Sequence, residues 1–179
     1  AALLALEAAL EDLSAGAIDA ALVGGVDSLV RAPVLERLAA DRAIKTRAQP
    51  DGIVPGEAAA FVLLESAERA RSRSATAMAR LLSLGRGEEA TAGTEEPNPG
   101  TGLTMALRTA VDDAGGLDAP PYTVCDLNGD RYRAMEWGMA GIRVLGHLSG
   151  ELPLQHAADC IGDPGAGSAA LGLVWAATA

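Results

Sequence analysis

Two apolar runs, each interrupted by glycine, constrain this chain more than any other feature. Ile18 to Val23 is a short apolar stretch that passes into Gly24-Gly25-Val26-Asp27-Ser28, read as a strand entering a Gly-Gly turn. A second glycine-bearing turn, Asp51-Gly-Ile-Val-Pro-Gly-Glu57, launches another apolar run, Ala58 to Glu65. The first run is too apolar for a half-exposed strand, and the second also reads as buried. Both are therefore expected inside a sheet covered on its two faces.

Helical spacing surrounds these strands. Leu3, Leu4, Leu6, Ala9, Leu10 and Leu13 mark one face of an amphipathic helix closed by Gly16. Pro33 to Asp41 predicts a short helix, Ala43 to Pro55 a surface loop, and Ser66 to Ser74 a charged helix. Ala75 to Gly85 has strand character. Residues 86–100 hold four glutamates, three glycines and two prolines, the composition of a flexible loop. Thr101 to Ala114 reads as a helix ended by Gly115-Gly116, Tyr122 to Leu127 as a strand, and Arg131 to Leu145 as a helix. Leu152 to Ile161 is expected to be extended, and Gly165 to Ala177 to form a closing helix. Strands alternating with helices predict an α/β fold with a largely parallel sheet.

Composition narrows function. The 179 residues are enough for one domain with a substantial core, yet aromatics make up only 3% of them, so Ala, Leu and Val must do the packing. A formal charge of −10 argues against nucleic acid, which needs a basic footprint. Lys45 is the only lysine. Cys125 and Cys160 give neither a disulfide framework nor metal-ligand spacing. No apolar run is long enough to span a membrane. The start, Ala1 to Leu6, has no signal-peptide pattern, so the expected location is the cytoplasm.

Taken in order, these elements resemble a β-ketoacyl synthase of the thiolase superfamily. The strand Ala20 to Gly25, the pairs Asp51-Gly52 and Gly56-Glu57, and Leu64-Glu65 match that pattern. So do Asn128-Gly129-Asp130 after a strand, in the place of the family's His-Gly-Thr element, and Ile161-Gly162-Asp163-Pro164-Gly165-Ala166-Gly167, in the place of its Gly-His element. The resemblance spans nearly the whole chain. It implies a thiolase-like layered α-β-α-β-α fold, with residues 1–179 covering the end of the first half and most of the second. It also implies acyl-thioester partners, an acyl carrier protein or acyl-CoA, and calls for neither cofactor nor metal.

The departures from the family bear on chemistry. Asn128 and Asp163 stand where the family keeps its two catalytic histidines, and the nucleophilic cysteine belongs just before Ala1. Condensation needs a thiolate and an oxyanion hole for the enolate. An asparagine amide can donate one such bond, whereas an ionised aspartate only accepts and repels an enolate. The lysine that commonly precedes the second histidine is absent as well.

Structural roles fit the same residues. Asp163 reads as a helix-start carboxylate ahead of Gly165, and Asn128-Gly129 as a turn dipeptide. Gly129, Gly162, Gly165 and Gly167 are the positions where backbone could approach a substrate or cradle an anion, without the Gly-Lys-Ser/Thr of a nucleotide loop. Cys125 reads as a core thiol and His147 as a helix-end residue. His156 and Cys160, on an extended segment, stand more than ~13 Å apart. Asp112-Asp113 and Glu95-Glu96 read as solvated charges, and Arg133 with Glu136 as an i, i+3 pair.

By the resemblance, the sheet lacks central neighbours and a final strand pair, so these residues are expected to pack against a missing ketosynthase half or a homodimer partner. The first functional expectation is a degenerate ketosynthase-like protein of fatty-acid or polyketide-type biosynthesis, acting as a partner or acyl-binding subunit. The second is an active acyltransferase whose cysteine lies outside this chain. The third is a small α/β domain that binds an anion at Gly162 to Gly167.

Overall fold

Helix α1 occupies Ala2–Ser14 in the computed structural model, which describes residues 2–94 and 96–179. Ala1 and Glu95, read above as part of an apolar start and as a solvated charge, lie outside the described residues. Ala2, Leu6 and Ala9 form the buried stripe of α1, while Leu3 and Leu4 face outward, so the apolar face is narrower than its leucines predict. Gly16, at φ 67°, closes the helix. Its N–H bonds Leu13 O and the Ala17 N–H bonds Asp12 O, the paired closure that a left-handed residue permits.

The chain forms two units. The first comprises Ala1–Arg80, Val124–Asn128 and His156–Ala179. Here strand β1 (Ala20–Ser28) pairs with β2 (Glu57–Glu65), in register from Ala20↔Glu65 to Ser28↔Glu57. Gly24-Gly25 lie inside β1 and form no turn. The pair is antiparallel, against the parallel expectation. Ser28 faces Glu57, so helix α2 (Ala32–Ala40) and the loop after it leave and return at one end of the sheet without crossing it. Helix α3 (Ala67–Ser72) follows β2, capped by Ser66, whose hydroxyl accepts the Arg69 N–H at 3.1 Å.

Helix α1 and the last helix, α7 (Ser168–Thr178), pack on one face of this ladder. Ala2, Ala60 and Ala170 form the buried cluster, with Ala169, Leu171 and Val174 against it. Alanine at the contact lets helix and sheet backbones approach closely, which explains how a chain this poor in aromatics packs. The other face is uncovered among the described residues. Leu22 (68% exposed), Val26 (66%), Phe61 (51%) and Leu63 (60%) line it. The strands are therefore covered on one side, not on both.

The second unit comprises Leu81–Thr123 and Gly129–Gln155. Helices α4 (Thr101–Asp113) and α5 (Arg131–Leu145) pack together in it. The stretch expected as a strand over 75–85 has no ladder partner. Part of it lies along α4, where the Ser83 hydroxyl donates to Ala110 O at 2.6 Å. The following loop is tied down at both ends. Glu89 Oε2 accepts the Gly102 N–H at 3.1 Å, and Asn98 Oδ1 accepts the Gly100 N–H at 2.8 Å. Arg143 on α5 donates to Pro99 O at 2.6 Å.

Two short strands, β3 (Thr123–Cys125) and β4 (Leu154–His156), form a second ladder, and the boundary between units passes through both. The expected extended run 152–161 is thus only partly strand, because helix α6 takes Ala158–Ile161. The closing helix also starts later than expected. A 3-10 turn occupies Gly165–Gly167, and α7 begins at Ser168.

Candidate functional site

The two glycine-bearing motifs of the sequence meet at Asp163. Gly56 N–H donates to Asp163 O at 2.8 Å, and Asp163 N–H donates to Val54 O at 2.7 Å, an isolated parallel bridge. The chains run so close that a Cβ on Gly56 would stand 2.2 Å from Ile161 O, and one on Gly162 would stand 2.6 Å from Val54 O. Gly162 also has φ +76°, where a side chain is strained in any case. Backbone contact of this kind needs glycine on both strands.

Asp163 is 5% exposed, so its carboxylate must find partners within the protein. It has three. Asn128 Nδ2 donates to Oδ2 at 2.5 Å, while the Gly165 N–H at 2.8 Å and the Ser168 hydroxyl at 3.4 Å reach Oδ1. The helix-start role read from sequence is thus present, displaced onto the 3-10 turn. Asn128 and Asp163, singled out in the sequence as separate sites, touch each other.

A further carboxylate, missed in the sequence, completes the turn. Asp27 Oδ2 accepts the Ala166 N–H at 3.0 Å, and Asp27 Oδ1 the Ser28 N–H at 2.8 Å. The Ala166 bond, then the Ser28 bond, hold the Asp27 carboxyl below its ordinary range, against slight desolvation and with help from Arg31. Gly167 N–H goes to Pro164 O. The donors at Gly165, Ala166 and Gly167 are therefore already taken by the protein's own oxygens, which argues against this turn as an anion cradle. A Cβ on Gly165 would strike Asp27 Oδ2 at 2.5 Å, and one on Gly167 would stand 3.0 Å from Ala58 O, so both glycines serve this closure.

Asn128 follows β3, and Gly129, at φ 95°, makes the turn after it. Asp130 then caps α5 by accepting the Tyr132 N–H at 2.9 Å. A turn and a helix cap account for this stretch. Cys125, Asn128, Asp163 and Ser168 line a cavity of about 10 Å³, whose lining contains no His, Lys or Arg. That is at the lower limit for one water. Burial first, then Asp126, push the Cys125 thiol up, against a hydrogen bond from the Leu127 backbone. A thiol shifted that way is less ionised, and so a weaker nucleophile, than a free one.

Cys160 is exposed. The helix at 158–161 removes the extended-chain argument for its separation from His156, whose Nδ1 instead lies 3.4 Å from Asp159 Oδ1 without hydrogen-bond alignment. His147 is exposed beyond the end of α5. Among the described residues, no group of three or more His, Cys, Asp or Glu side chains is placed to hold a metal.

Residues 1–70 match the family described as beta-ketoacyl synthase, N-terminal domain. That stretch holds α1, β1 and β2, the elements that the resemblance assigns to the end of the first half. Among curated proteins, the 3-oxoacyl-[acyl-carrier-protein] synthase 2 of Staphylococcus aureus is 32% identical over 111 residues, 56% of this chain and 28% of that protein. The chain thus spans under a third of the length of the curated relatives it matches. Solved structures agree on the fold. A type II polyketide-synthase acyl-carrier protein in complex with its ketosynthase, bound to the hexaketide, gives a TM-score of 0.85 at 22% identity, over 98% of this chain and 47% of that one. A β-ketoacyl synthase from Burkholderia phymatum STM815 gives 0.79 at 25%, over 98% and 45%. The ishigamide ketosynthase/chain length factor gives 0.77 at 23%, over 94% and 42%. Residues 1–70 are thus similar to the β-ketoacyl synthase family, and the chain has the thiolase-like fold of the solved ketosynthases.

Proposed function

We propose that this chain is part of a ketosynthase-like protein of fatty-acid or polyketide-type biosynthesis that does not perform decarboxylative condensation through the usual histidine pair, and that it serves as a partner or acyl-binding subunit. One observation carries the reading: Asn128 and Asp163 are bonded to each other at 2.5 Å. An oxyanion hole needs donors aimed at the place where charge develops. Here an Asn128 donor is turned onto a carboxylate, and that carboxylate adds negative charge at the same spot. The site is closed from within.

An acyl carrier protein or an acyl-CoA is the partner that the related ketosynthases suggest. The exposed apolar face of β1 and β2 supports a covering layer, either a missing ketosynthase half or a second copy. Among the described residues, no helix is long and apolar enough to cross a membrane, and we place the protein in the cytoplasm.

The test is intact mass spectrometry of the full native polypeptide after incubation with acyl- and malonyl-thioesters, with malonyl decarboxylation followed alongside. The expected result is no decarboxylation. Decarboxylation that survives in Asn128→Ala and Asp163→Ala variants would sink the proposal, and so would decarboxylation that needs them.

A further inference from the structure

We propose that Asn128 is a site of spontaneous deamidation, and that its conversion to a carboxylate breaks the closure with Asp163. This goes beyond the functional reading above and does not depend on it. The chain has two asparagines, Asn98 and Asn128. Deamidation starts when the backbone nitrogen of the following residue attacks the side-chain Cγ. Asn98 precedes Pro99, which has no N–H to lose, so that route is closed to it. Asn128 precedes Gly129, which carries the N–H and has no side chain to crowd the attack.

The structure favours the same site. Gly129 is exposed and Asn128 half-buried, so solvent base has access to the peptide between them. Gly129 stands at φ 95° in the turn that joins β3 to the start of α5, where a glycine backbone adjusts most easily to ring closure. The bond to Asp163 is made by Nδ2, the nitrogen that departs, and not by the carbon under attack.

The step balances without a cofactor. The Gly129 nitrogen gives its proton to solvent base and bonds to Cγ of Asn128. Nδ2 takes a proton from solvent and leaves as ammonia. Water then opens the succinimide ring at either carbonyl, which yields aspartate or isoaspartate. One water enters, one ammonia leaves, and nothing is oxidised or reduced.

The product cannot keep the closure as it stands. An amide donor lies 2.5 Å from Asp163 Oδ2, and Asp163 is 5% exposed. Aspartate at 128 would set a second carboxylate there, and two carboxylates so close do not both ionise. The titratable groups around the pair are Cys125 and Asp126 from β3, and Asp27, which holds the same turn from β1. On α6, Asp159 lies beside His156 of β4, and α7 carries no titratable side chain. No His, Lys or Arg lines the adjoining cavity to offset the new charge. The isoaspartate product instead lengthens the backbone just ahead of Asp130, the residue that caps α5.

The test holds the full native polypeptide in mildly alkaline buffer over a time course, followed by digestion at acid pH and peptide mapping. Position 128 should gain the mass difference between an acid and an amide, in aspartate and isoaspartate forms, while Asn98 keeps its amide. Asn128→Gln, which closes a ring far less readily, should stay unmodified. Asn128→Asp, standing for the product, should melt about 3 °C or more below wild type in mildly alkaline buffer. It should recover in mildly acid buffer. A proton shared by the folded pair stabilises at low pH, and that contribution is lost as pH rises through the raised value. Should this variant fail to fold, the deamidated and unmodified fractions of aged wild type, separated by charge, are melted instead, and the deamidated one should melt lower. A native protein that keeps Asn128 intact would overturn the site, whether or not the urea-unfolded chain converts. Equal melting of product and wild type in both buffers would overturn the breaking of the closure.

Discussion

Asp27 and Asp163 accept neighbouring backbone donors of one turn, Asp27 the Ala166 N–H at 3.0 Å and Asp163 the Gly165 N–H at 2.8 Å. One carboxylate comes from the end of β1 and the other from the turn before α7. Together they fasten the beginning of the last helix to the sheet.

The Asn128–Asp163 contact should behave as a coupled pair. Asp163→Ala removes the acceptor of the Gly165 N–H and the bond from Asn128, a cost of about 1–3 kcal/mol. A double-mutant cycle with Asn128→Ala should return a coupling of about 1–3 kcal/mol by urea denaturation. A coupling near zero would mean that the two side chains do not hold each other in solution.

Asp27 gives a pH dependence with a defined sign. Its folded-state carboxyl titrates below the ordinary value, so it contributes stability above the unfolded carboxylate range. That contribution is lost as pH falls through the folded value. The melting temperature of the wild type should therefore drop more steeply below about pH 4 than that of Asp27→Asn. Parallel curves would remove Asp27 from the acid response.

Glycine substitutions should divide sharply by place. Gly56→Ala and Gly162→Ala each force a methyl into the backbone of the facing segment and should cost about 2–4 kcal/mol. Gly138, within α5, has open space around its missing Cβ, so Gly138→Ala should stabilise by about 0.5–1 kcal/mol. Chemical denaturation of the three variants reads both signs in one experiment.

The two cysteines should be distinguished by alkylation. Cys160 is exposed, whereas burial raises the Cys125 thiol. Iodoacetamide at neutral pH, followed by peptide mapping, should label Cys160 well before Cys125. Faster labelling of Cys125 would restore it as a candidate nucleophile beside Asn128.

Local structure was the most readable layer. Helix α5 spans Arg131–Leu145 as read from the sequence, and α4 ends within a residue of its expected limit, because caps, glycine stops and periodicity are local signals. Pairing was not readable in the same way. An apolar run says that a strand is buried but not which way its neighbour points, so β1 and β2 came out antiparallel. The run at 75–85 has strand composition without a ladder partner. At the site, Asn128 and Asp163 stood out singly, each as a departure from the histidine that the resemblance calls for, and only the aspartate conflicts with condensation chemistry. Their mutual bond spans 35 residues of chain, a separation that spacing rules do not reach. Asp27 was visible only as the polar residue closing the Gly-Gly motif.

The bare face built from Leu22, Val26, Phe61 and Leu63 has a practical consequence for anyone handling this molecule. Phe61 stands opposite Gly24 in the ladder, at the middle of that strip. Adjacent apolar side chains on a sheet surface are adhesive, and among the described residues β1 has a ladder partner on one of its edges only. Expressed by themselves, these 179 residues should therefore self-associate and bind hydrophobic dyes such as ANS. Placing Glu at Leu22 and Leu63 should make them soluble. Yield in the test tube would then report how well that strip is sheathed.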